Sequence, residues 1–75
     1  MSAWTPINDY PGDQRYDDIL GTSQASYWAE IGPDGASKWS WTIIGTDDYG
    51  NQWEVAGGIV SNELAAKTAV EEWRA

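Results

Sequence analysis

Carboxylates are the side chains this sequence supplies most freely for chemistry. Twelve Asp and Glu stand against four Lys and Arg, with no histidine and no cysteine. Asp47, Asp48 and Glu54 surround one turn-like stretch, while Asp9, Asp13, Asp17 and Asp18 crowd the N-terminal part. Two converging carboxylates act as general acid and base when burial raises one pKa. That needs a cleft, and 75 residues leave little room for one. These carboxylates therefore read as solvated loop charges. Calcium is the next candidate, but an EF-hand loop needs oxygen ligands at alternate early positions and glycine at the sixth. Counted from Asp47, the third position is Tyr49 and Gly50 comes too early; counted from Asp9, the third position is Pro11. Gly57-Gly58 lacks the spacing and the following Lys-Ser/Thr of a phosphate loop. Serine and threonine have no histidine to activate them, and no motif supports pairing with Lys38 or Lys67. Cys/His zinc sites, histidine triads and cysteine nucleophiles are excluded on inventory. The expectation is a non-enzymatic chain with no metal and no cofactor.

Aromatic residues are the remaining signal: six Trp and four Tyr, with no Phe. Trp and Tyr are the side chains enriched at protein interfaces. They also stack on single-stranded bases, but that use requires a cationic groove that four basic residues do not make. A formal charge of −8 repels phosphate and anionic lipid. Partners are therefore expected to be proteins with neutral or basic surfaces, with no direct nucleic acid and no membrane. The same acidity serves solubility. No apolar run approaches the ~20 residues of a membrane span, and Met1 to Tyr10 lacks the basic and apolar regions of a secretory signal. A cytoplasmic protein is the expectation.

The elements that position these residues follow from periodicity. Residues 1–23 carry Pro6, Pro11, Gly12 and Gly21 and show no sustained period. Tyr16, Ile19 and Leu20 fall at helical spacing, so the reading is an acidic arm with one helical turn over Gln14 to Leu20, stopped by Gly21. Residues 24–75 are more regular. Ala25 to Ile31, Lys38 to Thr46 and Gln52 to Ile59 alternate as strands, separated by Gly32-Pro33-Asp34-Gly35 and Asp47 to Asn51. The period then lengthens: Ala66, Ala69, Val70 and Trp73 form one stripe of a helix from about Asn62 to Arg74, with Ser61 or Asn62 as its cap. The fold expected is α+β, a three-stranded antiparallel meander with one C-terminal helix on one face (β-β-β-α), preceded by an irregular arm. The covered face is expected to hold Trp39, Trp41, Ile43, Trp53, Val55 and Ile59.

From Trp39 to Ala75, the Trp39-x-Trp41 strand, the acidic turn and Val55-Ala56-Gly57-Gly58-Ile59 before an alanine-rich helix resemble small uncharacterised proteins of actinobacteria and their phages. The resemblance implies a phage-encoded acidic protein of the host cytoplasm and no catalytic residues. The element order is similar to that of integrase arm-binding and plant AP2-type domains, which read DNA with a basic sheet. The outward positions Ser26, Trp28, Glu30, Ser40, Thr42 and Glu54 include no Arg or Lys, so only the fold carries over.

Trp28 projects to the opposite side from Tyr27. Two readings stand: the arm folds beneath the sheet and buries it, or the ring is exposed as an interface anchor. The function expected is protein binding that modulates a host protein, through Trp28, Tyr49, Asp47, Asp48, Asp17 and Asp18. A DNA mimic that occupies a nucleic-acid-binding protein, and a virion structural or assembly protein, are the alternatives.

Overall fold

The computed structural model describes residues 4–7, 12–21, 25–35 and 37–74. The chain runs β1 (Thr5–Pro6), β2 (Gln14–Gly21), β3 (Ala25–Pro33), β4 (Trp39–Asp47), β5 (Gln52–Val60) and α1 (Glu63–Arg74). All five strands form one sheet in the order β1-β2-β3-β4-β5, each antiparallel to its neighbour. Short loops permit only this arrangement between consecutive strands. Backbone hydrogen bonds close the turns from Ile7 N to Asp13 O, Asp34 N to Lys38 O and Asp47 N to Asn51 O.

The α+β class holds, but the three-stranded meander does not. Two further strands, β1 and β2, come from the stretch read as an irregular arm with a helical turn. The physical reason is a bulge. Tyr16 pairs with Ala29 and Leu20 pairs with Tyr27, so a four-residue step on β2 faces a two-residue step on β3. The extra residues let Tyr16 and Ile19, three apart, both reach the same core. A bulged strand thus reproduces the i, i+3 spacing of a helix. Asp9 and Tyr10 lie outside the described residues, as does the Thr22 to Gln24 stretch where the chain was divided.

The helix covers one face of the sheet. Its cap is Asn62, whose Oδ1 accepts the Ala65 amide at 2.8 Å. Ala66 and Val70 are fully buried and meet Ala29, Ile31 and Ile43 from β3 and β4, with Trp4 and Ile19 from the N-terminal part. Trp39, Trp41, Tyr27, Ala56, Val60 and Trp73 pack around this centre. Alanine at 66 and 29 lets the helix lie close to the sheet. Further ties join helix to β2: Gln14 Nε2 donates to Glu63 Oε1 at 3.1 Å, and Arg74 donates to the Tyr16 hydroxyl at 2.6 Å. Lys67 pairs with Glu63 at 3.4 Å, one turn behind it.

The expected face of β5 is half corrected. Trp39, Trp41 and Ile43 lie under the helix as the alternation requires, but Val55 and Ile59 are exposed. A bulge again changes the parity: Ile43 pairs with Ala56 and Ile44 with Glu54, leaving Val55 unpaired. Ala56, Gly58 and Val60 take the helix side, and Trp53, beyond the bulge, returns to it opposite Gly45.

Candidate functional site

The described residues enclose no cavity, and no three acidic side chains gather in metal-binding geometry among them. What the fold does assemble is a surface: the β5 edge, the β4–β5 turn before it and the first turn of the helix after it.

The turn is built by Asp47. Its Oδ1 accepts the backbone amides of Tyr49 and Asn51, each at 2.9 Å, and its Oδ2 accepts Asn51 Nδ2 at 3.0 Å. The Asn51 side-chain bond, with the two amides behind it, holds the Asp47 carboxyl below the usual aspartate range. Gly50 takes a φ of 84°, which closes the turn. Asp47 is therefore spent on structure. Its reward is position: Tyr49 is held at the tip, 91% exposed.

β5 then runs along the margin of the sheet. It is paired on one side by β4, and among the described residues no strand pairs the other. The helix lies chiefly over β4 and β3 and less over β5. Trp53, Val55 and Ile59 are exposed on β5, and Leu64 is exposed on the helix just beyond it. Two cross-strand pairs fix this ladder. Trp41 lies over Gly58, and Trp53 lies over Gly45, each directly opposite its glycine. A Cβ at Gly58 would come within 2.9 Å of the Trp41 indole nitrogen, and one at Gly45 within 2.7 Å of the Trp53 ring. Glycine in a strand is thus the seat for a tryptophan from its neighbour.

The residues expected to form one contact set are not brought together. Asp47, Asp48 and Tyr49 share the β4–β5 turn, whereas Asp17 lies on β2, two strands from β4. Asp17 pairs with Arg15 on its own strand. Asp18 also belongs to β2, but its side chain lies outside the described ones. Trp28 is only 8% exposed and is no surface anchor. It faces away from the helix, with the Arg15 guanidinium 4.6 Å from its ring centroid. So the N-terminal stretch does cover Trp28, as a strand. Its Nε1 finds no acceptor among the described residues.

Sequence reasoning missed Val55 and Ile59 as exposed groups. The signal was present in Gly57-Gly58, which marks a bulge or close approach within a strand. The bulge falls two residues earlier than that pair, and what approaches Gly58 is Trp41 rather than a helix alanine.

No helix among the described residues is long and apolar enough to cross a membrane. Compared with protein-family models, with curated proteins and with solved structures, the chain matches none.

Proposed function

We propose that this chain is a non-enzymatic protein-binding module whose partner has a neutral or basic surface. One observation carries the reading. The β5 margin exposes Trp53 on its helix side and Ile59 on the opposite face, with Val55 between them and Tyr49 at the preceding turn, beside the carboxylates of Asp47, Asp48 and Glu54. Between Lys38 and Lys67 the chain has Asp47, Asp48, Glu54 and Glu63 and no Lys or Arg. Exposed rings and aliphatics supply short-range affinity, and a single-sign field steers an oppositely charged partner. The resemblance of residues 39–75 to small proteins of actinobacteria and their phages adds a setting, in which a phage-encoded chain modulates a host protein.

The test is affinity capture from an actinobacterial lysate, mass-spectrometric identification, and titration of the purified captured protein. The expected result is a stoichiometric complex that weakens with added salt. Failure of every purified candidate to bind the folded chain would remove the reading. Displacement of DNA from the same partner would instead favour a DNA mimic.

A further inference from the structure

We propose that β5 receives an extended, lysine- or arginine-bearing segment of its partner as a sixth strand of the sheet. The inference rests on the protein-binding reading and names the kind of segment bound.

The two margins of the sheet are unlike. β1 is two residues long and ends on Pro6, which has no amide hydrogen to offer. Such a margin is blunted against further pairing. β5 has nine residues, about 30 Å of strand, and contains neither proline nor lysine. Its outer row of amides and carbonyls is a template for another strand. The bulge at Val55 interrupts the template near its start, but Ala56 to Val60 pair without a break against Ile43 to Trp39. In that stretch Gly57 and Gly58 put no side chain in the way of an approaching backbone. Ile59 and Val55, both exposed, flank it and provide apolar contacts for alternate residues of an incoming strand.

Charge selects the occupant. Three of the four basic side chains lie over rings at the opposite half of the molecule: Arg15 over Trp28, Lys67 over Trp4 and Arg74 over Tyr16. β4, β5 and the turn between them, residues 39–60, carry three carboxylates, Asp47, Asp48 and Glu54, and no Lys or Arg, with Lys38 just before β4. A second copy entering at β5 would bring the same carboxylates against their equivalents, so like charges oppose self-pairing. Ile59 and Glu54 share the face away from the helix, opposite Ser40 and Ile44, so a segment carrying apolar and basic residues together on one face meets both features: an apolar residue lies against Ile59, and its cations meet Glu54 and the Asp47–Asp48 turn.

The test uses the full chain, isotope-labelled, and a capped peptide about as long as β5 in which valine and lysine take turns along one face and threonine fills the other. Two control peptides accompany it: one with alternate amides N-methylated, and one with glutamate in place of lysine. The expected result is amide shift changes and exchange protection centred on residues 52–60, affinity that falls with salt, and no binding of either control. Ile59→Lys, at a position already 54% exposed, should keep the native circular dichroism and weaken the peptide about tenfold. Thr68→Lys, which adds the same charge on the exposed side of the helix, should change affinity far less. Equal binding of the N-methylated peptide, or a footprint away from residues 52–60, would overturn strand addition while leaving the protein-binding reading intact. So would a purified partner indifferent to Ile59→Lys, or a dimer at neutral pH that itself protects residues 52–60. Loss of both peptide and partner binding would take the two readings down together.

Discussion

Trp28 and Asp47 were both expected at a contact surface, and each has a structural task. Trp28 fills the sheet face away from the helix, beneath Arg15. Its truncation removes a large buried ring and the surface on which the guanidinium rests. Trp28→Ala should therefore cost about 3–5 kcal/mol in urea unfolding. A loss near zero would mean the ring is not buried in solution. Asp47 organises the β4–β5 turn through Tyr49 and Asn51. With its carboxyl held below the ordinary aspartate range, the folded state binds its proton more weakly than the unfolded chain does. Its contribution is thus fully present above the ordinary aspartate value and is lost as pH falls through the lowered one. In a carboxyl-detected NMR titration, Asp47 should titrate below the ordinary aspartate range. Asn51→Ala should move it upward, because the side-chain amide is the largest cause of the shift. An Asp47 carboxyl unmoved by that substitution would show that the amide bond does not form.

At the scale of elements, the bulges and the tryptophan-on-glycine pairs decide how the sheet is built. Gly58→Val would force the half-buried Trp41 ring off its seat, at about 1–3 kcal/mol, the usual range for overpacking. A melting temperature unchanged by this substitution would show that the ring does not rest there. The second test concerns β2. If the N-terminal stretch were a dispensable arm, residues 24–75 would fold alone. Because β2 pairs with β3 and supplies Tyr16 and Ile19 to the core, removing residues 1–23 exposes Ala29, Ile31 and one whole side of β3. The truncated chain should lose cooperative melting by circular dichroism. The same features explain what was legible in the sequence. β3, β4 and the helix obey simple periods, and Asn62 with Ala66, Val70 and Trp73 announces the helix directly. β2 and the face of β5 were hidden because each contains a bulge, and a bulge changes side-chain parity without any residue type that marks it unambiguously. Of the contact set, the Tyr49 tip was readable from turn chemistry. The apolar margin at Val55 and Ile59 was not, since alternation alone assigned both to the core.

Across the whole molecule, charge and the open margin are coupled. A long strand edge without lysine or proline is ordinarily an association hazard. Here β5 and the turn before it carry Asp47, Asp48 and Glu54 and no Lys or Arg. Net charge of −8 opposes the approach of a second copy at neutral pH and favours that of a basic segment. The sequence isoelectric point is about 4.1, so acidification toward that value removes the repulsion. Apolar Ile59 and Val55 and the unpaired backbone row then face no electrostatic barrier. Sedimentation velocity should show a monomer at pH 7 and concentration-dependent association as the pH approaches 4, before circular dichroism reports unfolding. Ile59→Lys should delay that association, because it places a solvated cation on the edge itself. Thr68→Lys, with the same net charge, should delay it less, since the helix surface is not the template. Equal effects from the two substitutions would mean that net charge alone governs association and that β5 has no special part in it.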